Sequence, residues 1–458
     1  MKRRSTSIRL TVKAGHYKKG YAVKSKQINR RQFLGGVAGA VAFTIVPRHV
    51  LGGPRTVPPS EKLNIASIGV SGMGASDVQS VSSENIVALC DVDWRHAADT
   101  FKKYPNAKKY KDFRKMLDAE EENIDAVTVS TPDNCHAVAA MAAIKRGKHV
   151  YCQKPLCHDI YEVRQLTEAA RKYGVRTQMG TQLHATGEMK TFVEWVKSGV
   201  IGKVNRVDLW SGKNWGGGER PTDTPPVPET LDWDLWLGPA PDRPYHPKYL
   251  PGEWRRWWDF GTGTLGDMGC HIIDPAWWAL DLDYPTSVAA QPGLFNRETY
   301  PQKTAVTWEF PARGDRPAVT MTWCDGENRP PRPKELEEGR QLPDQGGLYY
   351  GDKGVILLPH GGNPRLIPES GMKGFKAPEP FLPRDVDHYQ EWIRACKGGP
   401  KPLSNFDYSG PLTEAILLGN VVALAGQKLE WDGPGMKVKN MPEANRLLRR
   451  KYREGWSL

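Results

Sequence analysis

The feature that most constrains the fold is an alternation of short apolar runs with helical patterns between residues 63 and 179. Five runs rich in β-branched or other apolar residues are predicted to be strands: 63–70, 86–93, 126–131, 149–152 and 175–179. Helical patterns fill the intervals, and one of them, Ile160–Tyr173, stops at Gly174, a residue that commonly follows the end of a helix. Strands that are apolar on both faces and alternate with helices form parallel sheets covered on two sides. We therefore expect an α/β Rossmann domain with a doubly wound parallel sheet.

The pattern changes after about residue 200. Apolar and polar residues alternate in 204–210, 304–310 and 318–323, which predicts a second, α+β domain with a largely antiparallel open sheet. Helices are predicted over 413–427 and 443–452. The predicted organisation is a basic leader (1–53), a linker (54–62), the Rossmann domain (63–183), the α+β domain (184–430) and a C-terminal tail with a helix (431–458).

The leader carries the charge of the chain. Its 53 residues contain twelve Lys and Arg and no Asp or Glu, which accounts for the whole formal net charge of +12. The remainder is electrically balanced, which argues against a nucleic-acid partner. The pair Arg30 and Arg31 precedes a weakly apolar run, 34–46, that is too short to cross a bilayer. This arrangement is typical of a twin-arginine export signal, so we expect a periplasmic or otherwise exported protein that touches a membrane only through an uncleaved signal. The alternative is a disordered basic tail on a cytosolic protein.

The first predicted strand runs into a glycine-rich turn, GVSGMGAS, of the kind that brings backbone amides close to a pyrophosphate. The candidate cofactor-binding residues of this turn are Gly69, Ser71, Gly72, Met73 and Gly74. Ser71 stands where the G-x-G-x-x-G fingerprint has its second glycine. Asp91 ends the second strand, 22 residues after Gly69, where an acid binds the adenosine ribose and repels a 2′-phosphate. We therefore expect NAD rather than NADP, although Arg95 leaves NADP open, and a plain tight turn is the alternative.

The stretch VYCQKPLCHD places a lysine where the fourth of these predicted strands ends. Carboxyl ends of parallel strands are where such sheets bind ligands, and Pro155 restricts the direction of Lys154. A fixed ammonium group can bind a substrate hydroxyl or a developing alkoxide. The alternative is a solvated surface lysine.

A third candidate segment is GTLGDMGCHIIDPAWW, in which Asp267, His271 and Asp274 are spaced at i, i+4 and i+7. On a helix these three residues share one face. A carboxylate beside an imidazole is a general-base arrangement, because the acid fixes the ring tautomer and raises its basicity. A core histidine with a local acid is the alternative. A zinc site is a weaker alternative, because the segment offers too few ligands and Lys154 would oppose a cation. We therefore predict no metal.

Taken together, these residues resemble the Gfo/Idh/MocA oxidoreductases, a family that includes glucose–fructose oxidoreductase and inositol dehydrogenase. The resemblance rests on the turn, the acid after the second strand, the lysine–proline at a strand end and G-D-x-G-x-H-x-x-D, and it covers about residues 62–430. It implies that Lys154, Asp267 and His271 are catalytic. The loop that follows the third predicted strand would contact the nicotinamide ribose through Thr131, Pro132, Asn134 and His136. A purely structural role is the alternative for the histidine of this loop. The family usually has E-K-P, and here Gln153 replaces the glutamate.

Tryptophan is unevenly distributed, with ten of the sixteen between residues 195 and 278. Indole rings stack on the C–H faces of sugars, and polar side chains lie nearby in the sequence. We predict substrate contacts from Trp215, Arg255, Trp258 and Asp274, although a core role is the alternative for any single tryptophan. The pattern favours a sugar, a polyol or a glycoside as substrate.

The predicted function is that of an exported NAD-dependent oxidoreductase. His271 would take the proton of a substrate hydroxyl, Lys154 would polarise that hydroxyl, and Asp267 would position the pair. Because free NAD is scarce outside the cell, we expect a tightly bound cofactor, and we expect a homo-oligomer. The alternatives are a redox-neutral NAD-dependent glycoside hydrolase or epimerase that passes through a keto-sugar, and a non-catalytic sugar-binding relative.

Overall fold

Two β-sheets organise the described part of the chain. A computed structural model of the protein describes residues 61–458. The leader 1–53, with its twin-arginine pair, and all but two residues of the linker 54–62 lie outside the described residues.

The first sheet is parallel, as the sequence predicts, and it has six strands, one more than the five predicted. They are β1 (Asn64–Ile68), β2 (Asn85–Cys90), β3 (Lys108–Tyr110), β4 (Ala126–Val129), β5 (His149–Cys152) and β6 (Thr177–Met179). Their order is β3-β2-β1-β4-β5-β6, so the direction of winding reverses between β1 and β4. Such a reversal leaves a crevice at the carboxyl ends of the strands, which is where open α/β sheets bind ligands.

Helices connect these strands and lead out of the sheet. They are α1 (Met73–Ser80), α2 (Ala98–Lys103), α3 (Phe113–Ala119), α4 (Asp133–Lys145), α5 (Ile160–Tyr173) and α6 (Gly187–Lys197). The bounds of α5 are those predicted, and both ends have local causes. Asp159 and Glu162 form a capping box at its start, and Gly174 adopts a left-handed conformation (φ +66°) at its end.

The second sheet has nine strands and is mostly antiparallel. The strands are β7 (Val204–Ser211), β8 (Ser287–Pro292), β9 (Thr304–Phe310), β10 (Val319–Asp325), β11 (Gln345–Gly351), β12 (Gly354–Pro359), β13 (Arg365–Ile367), β14 (Leu429–Asp432) and β15 (Lys437–Val438). Their order is β13-β12-β11-β7-β10-β9-β8-β14-β15, and β7 with β10 is the one parallel pair among these strands. Burial alternates along β9, so one face of this strand packs inward, as its sequence pattern predicts.

Five further helices follow along the chain: α7 (Trp233–Leu237), α8 (Gly263–Ile272), α9 (Asp274–Ala279), α10 (His388–Cys396) and α11 (Phe406–Ala425). α11 is longer than the helix predicted over 413–427, because Asn405 caps it at an earlier residue. α11 packs against α5, α8 and the sheet, where Trp308 Nε1 donates to the Ala415 carbonyl at 2.8 Å. Within residues 61–458, each helix is too short or too polar to traverse a bilayer.

The prediction of a helix over 443–452 is wrong. A short 3₁₀ helix, Pro442–Leu448, ends before Arg450. The Arg450 guanidinium instead donates to the buried carboxylate of Glu162 on α5 at 2.7 Å. This tertiary ion pair holds the tail in an extended path, and it outweighs the local helical pattern.

Candidate functional site

A deep cleft of about 800 Å³ opens at the carboxyl ends of β1, β2, β4 and β5. This lies near the upper end of the roughly 300–1,000 Å³ that ligand sites occupy, so the cleft suits a large cofactor. One wall is the Rossmann sheet with its loops. The opposite wall comes from residues 228–255, and we call the segment 228–260 that contains them the roof segment.

The glycine-rich turn forms the floor of the cleft between β1 and α1. Gly69 has φ +74°, and a Cβ there would lie 2.7 Å from the Ser130 backbone, so this position requires glycine. Gly72 and Met73 line the cleft at the start of α1, which has no side-chain cap among residues 61–458. An uncapped helix N-terminus that faces a cleft fits a pyrophosphate. Gly74 does not line the cleft; it packs on the Gly69 carbonyl, where a Cβ would be 2.0 Å away.

Asp91 orients this turn from the end of β2. Its Oδ2 accepts hydrogen bonds from Val70 N at 2.9 Å and from the Ser71 hydroxyl at 3.2 Å. The serine that replaces the second glycine is therefore accommodated, because its side chain points to Asp91. Burial raises the pKa of Asp91, although the hydrogen bonds from Asp93 N, Val70 N and Ser71 oppose this. Asp91, Asp93 and Arg95 line the same end of the cleft, where an adenosine ribose fits.

Lys154 and Asp267 meet at the other end of the cleft. Lys154 Nζ donates to Asp267 Oδ1 at 2.6 Å and to its backbone carbonyl at 2.9 Å. Trp215 Nε1 donates to Asp267 Oδ2 at 2.8 Å, and Arg255 Nε donates to Oδ1 at 3.2 Å. The structure therefore brings together four of the predicted catalytic and substrate-binding residues, from segments as much as 113 residues apart.

The protonation of this cluster follows from its charges. Burial would raise the pKa of Asp267, but the Lys154 and Arg255 cations outweigh burial and lower it. Asp267 is therefore a carboxylate at neutral pH, and it fixes the ammonium group of Lys154.

His271 makes no hydrogen bond with Asp267. Its Nδ1 is buried without a partner among the described residues. Burial, with smaller effects of Lys154 and His360, lowers the pKa of His271 well below its usual value. The imidazole is therefore neutral at physiological pH, and it retains a free nitrogen that can accept a proton.

A second, small cavity of about 30 Å³ lies beside His271. His360, Met189 and Tyr349 are among the residues that line it, and the Tyr349 hydroxyl is also buried without a partner among the described residues. Two buried polar atoms that lack partners, beside a cavity of this size, indicate a place for water. His271 thus lines a small, mainly apolar cavity and does not line the main cleft, although the Lys154 charge contributes to its lowered pKa.

Comparison with known proteins decides the family. A protein-family model described as "Oxidoreductase family, NAD-binding Rossmann fold" matches residues 63–181. Its companion, "Oxidoreductase family, C-terminal alpha/beta domain", matches residues 186–307, and together the two cover more than half of the chain. The chain belongs to the Gfo/Idh/MocA oxidoreductase family.

Curated relatives in this family are distant. The glucose-6-phosphate 3-dehydrogenase of Bacillus subtilis is 22% identical over 48% of this chain and 54% of its own length. The myo-inositol 2-dehydrogenase of Thermotoga maritima is 28% identical over 36% of this chain and 47% of its own length. The chain thus matches about half the length of these relatives.

Solved structures of similar fold cover more of the chain. The WlbA dehydrogenase from Bordetella pertussis, in complex with NADH and UDP-GlcNAcA, has a TM-score of 0.58 at 16% identity and covers 81% of this chain and 99% of its own. The aldose–aldose oxidoreductase from Caulobacter crescentus, complexed with glycerol, has a TM-score of 0.55 at 16% identity, with coverages of 81% and 100%. These similarities establish the two-domain fold.

The glutamine in the Q-K-P stretch has a partner that the sequence did not reveal. Gln153 Nε2 lies 2.9 Å from both carboxylate oxygens of Asp77 on α1. Ser130 and Tyr389 also donate to this buried carboxylate, and burial nevertheless raises its pKa. A glutamate at position 153 would place two carboxyl groups in contact. Glutamine at position 153, in place of the glutamate of E-K-P, therefore suits the neighbouring Asp77 carboxylate.

Several predicted site residues lie in other surroundings. Asn134 is buried and donates through Nδ2 to the Leu237 carbonyl at 2.9 Å, so it binds the roof segment. Asp274 is 1% exposed and accepts from His184 Nδ1 at 2.9 Å, away from the cleft. Trp258 donates to the Thr299 carbonyl at 3.1 Å, and it does not line the cleft.

Thr131, Pro132 and His136 line the cleft as the resemblance implies. His136 is buried between two carbonyl oxygens, with Nδ1 2.8 Å from Pro155 O and Nε2 2.9 Å from Thr131 O. Burial lowers the pKa of His136 to about 4, so the ring is neutral and donates to one of the two carbonyls. This contact ties the ends of β4 and β5 together beside Lys154.

Sequence reasoning missed Asp133, the first residue of α4. It lines the cleft, and its Oδ2 accepts from the Thr262 hydroxyl at 2.6 Å. Burial raises the pKa of Asp133 to about 7, against the opposing effects of Thr262 and of nearby cations. Its place in the loop after a parallel strand was the available signal. Among residues 61–458, no group of three or more His, Cys, Asp or Glu side chains is arranged to hold a metal ion.

Proposed function

We propose that this protein is an NAD-dependent oxidoreductase that oxidises a hydroxyl of a sugar, polyol or glycoside. The observation that carries the proposal is the ammonium group of Lys154, fixed by Asp267 at the carboxyl end of β5 in a cleft large enough for a dinucleotide. Family membership and the names of the glucose-6-phosphate and myo-inositol dehydrogenases support an alcohol substrate of this kind.

The cofactor fits the turn and its surroundings. Gly69, Gly72 and Met73 would hold the pyrophosphate, and Asp91 would hold the adenosine ribose, which favours NAD over NADP. When bound, NAD accepts a hydride from a carbon that bears a hydroxyl group. Asp91 also accepts hydrogen bonds from the turn itself, so it orients the same backbone that faces the pyrophosphate.

Lys154 and His271 divide the work on the substrate. Two N–H groups of Lys154 are directed to Asp267, which leaves the third for the oxygen of the reacting hydroxyl. His271 accepts the proton of that hydroxyl, because its ring is neutral. The carbon loses its hydrogen as hydride and the oxygen loses its hydrogen as a proton, so the product is a carbonyl compound. The ammonium group stabilises negative charge on the oxygen.

The roof segment supports a cofactor that stays bound. Two backbone hydrogen bonds join it to the loop after β2. Asp232 N donates to the Val92 carbonyl at 2.9 Å, and Trp94 N donates to the Thr230 carbonyl at 3.1 Å. A second attachment joins it to the start of α4 through Asn134. The segment has its own apolar core, which includes Leu231, Trp236, Leu237, Ala240, Tyr249, Trp257 and Phe260. A dinucleotide under this segment would leave only past these contacts.

Retention agrees with export through the twin-arginine pathway, which we propose from Arg30 and Arg31. A protein that folds before export can load its cofactor inside the cell. An enclosed cofactor also favours the second candidate, a redox-neutral glycoside hydrolase or epimerase, because the hydride can return to the keto intermediate.

The test begins with denaturation of purified protein and mass spectrometry of the released small molecules. We expect one NAD per chain and little NADP. Refilled protein is then offered hexoses, polyols and aryl glycosides. Growth of NADH absorbance would support the dehydrogenase, and aglycone release without NADH would support the redox-neutral candidate. If neither signal appears with any alcohol, the proposal is contradicted.

A further inference from the structure

Arg255 is the second cation on the Asp267 carboxylate, and it belongs to the roof segment. Its Nε donates to the same oxygen, Oδ1, that accepts from Lys154. The ring centroids of Trp254 and Trp215 lie 4.3 and 5.4 Å from its Cζ. The carboxylate and the two rings together fix the position and the plane of the guanidinium group.

The outer edge of this guanidinium is free for a ligand. Among residues 61–458, Nη1 makes one long contact, 3.4 Å to the Gly252 carbonyl, and Nη2 has no partner. The side chain of Arg255 is 27% exposed and lines the cleft. An anchored guanidinium that presents its terminal nitrogens to a cleft matches two oxygens of a carboxylate or a phosphate.

The charges around this edge also favour an anion. Lys154 and Arg255 supply two positive charges, and Asp267 balances one of them. Asp133 lines the same cleft, but burial raises its pKa to about 7, so it is only partly ionised at neutral pH. The substrate end of the cleft therefore carries excess positive charge.

We propose that the substrate carries an anionic group, a carboxylate or a phosphate, which Arg255 binds through its two terminal nitrogens. The inference rests on the proposed oxidation of a sugar or polyol, and it narrows the substrate to sugar acids and sugar phosphates. Because Arg255 shares Asp267 with Lys154, the anion binds beside the reacting hydroxyl. The cofactor pyrophosphate fits elsewhere, at the glycine-rich turn.

Titration calorimetry on the cofactor-loaded protein tests this with matched ligands. Glucose, galactose and mannose are each compared with their uronate and their 6-phosphate, so the two arms separate the carboxylate from the phosphate. In the unaltered protein we expect an anionic ligand to bind roughly 10- to 100-fold more tightly than its neutral partner. In Arg255→Met this ratio should fall close to one.

Arg256→Met is the matched control. Arg256 is the next residue, but its guanidinium pairs with Glu253 at 2.6 Å and donates to the carbonyls of Gly216 and Gly217, and it does not line the cleft. This variant should keep the preference for the anion. The same experiments include the affinity for NAD, which should change little in either variant.

Equal affinity within every matched pair, or a preference that survives Arg255→Met, would overturn the proposal. A loss of NAD affinity in Arg255→Met with an unchanged preference would also overturn it, because Arg255 would then serve the cofactor phosphates. Calorimetry reports binding whether or not hydride transfer follows it. Anion-selective binding without hydride transfer would contradict only the proposed function, and oxidation of neutral sugars without anion preference would contradict only the role of Arg255.

Discussion

The contact between Gln153 and Asp77 yields a prediction that separates charge from shape. Gln153 Nε2 lies 2.9 Å from both oxygens of the buried Asp77 carboxylate. The change Gln153→Glu keeps the size of the side chain and replaces the donor by a second carboxyl group. It also restores the E-K-P stretch that is usual in the family, so comparison of sequences alone would rate it harmless.

The magnitude follows from the two ways in which the folded protein can hold this pair. Two carboxylates about 3 Å apart repel by roughly 5–6 kcal/mol at an effective dielectric constant of about 20. Protonation of one of them at pH 7 costs only about 3–4 kcal/mol, since a glutamate has a pKa of about 4.3 when unfolded. The pair should therefore bind a proton, and the free energy of unfolding should fall by roughly 3–4 kcal/mol at pH 7.

The pH dependence has a definite sign. Because the folded variant holds a proton that its unfolded chain releases, the pKa of the introduced carboxyl group is raised on folding. The penalty is small near the unfolded pKa and grows by about 1.4 kcal/mol for each pH unit above it. At pH 5 the loss should be roughly 1 kcal/mol.

Urea denaturation at pH 5 and pH 7 measures these values. The double variant Asp77→Asn with Gln153→Glu exchanges the amide and the carboxylate, so it should recover most of the loss at pH 7. Gln79→Glu, at an exposed position of α1, is the matched control and should change the free energy of unfolding by less than about 0.5 kcal/mol. A loss that is the same at both pH values, or one that the exchange does not recover, would refute the charge argument.

Other predictions concern the site and the leader. Lys154→Met should lower turnover by about 10²–10³ with substrate saturating, while the melting temperature and NAD affinity change little. His271→Ala should cause a comparable loss, and steady-state rates of the double variant should show that the two losses do not add. Asp91→Ala should lower the ratio of NAD affinity to NADP affinity, as measured by calorimetry. Replacement of Arg30 and Arg31 by Lys should retain folded protein in the cytosol, as fractionation would reveal.

The Rossmann sheet could be predicted because its strands are apolar on both faces and their neighbours in sequence are neighbours in space. Four-residue runs such as His149–Cys152 were sufficient. β3 was missed because it is a three-residue edge strand, Lys108–Tyr110, and its first two residues are exposed. An edge strand of this kind carries no apolar pattern. Its parallel pairing with β2 determines its conformation.

The members of the site could be predicted more readily than their contacts. Helical spacing places Asp267 and His271 on one face of α8, which led to the expectation that the acid supports the imidazole. The carboxylate instead accepts from Lys154, Arg255 and Trp215, which come from the end of β5, the roof segment and the region after β7. Only the fold brings these segments together, and in the buried site two cations and an indole N–H outcompete a neutral ring.

This choice of partners changes the chemical role of Asp267. If it bonded His271, it would raise the basicity of the proton acceptor. Bound to Lys154, it holds the ammonium group in one position at the end of β5. The basicity of His271 is then set by burial and by the Lys154 charge, both of which lower its pKa. In the proposed mechanism, a weakly basic imidazole requires that Lys154 makes the substrate hydroxyl acidic before His271 takes its proton. In that mechanism the lysine, rather than the histidine–aspartate spacing, is the part of the sequence that determines reactivity.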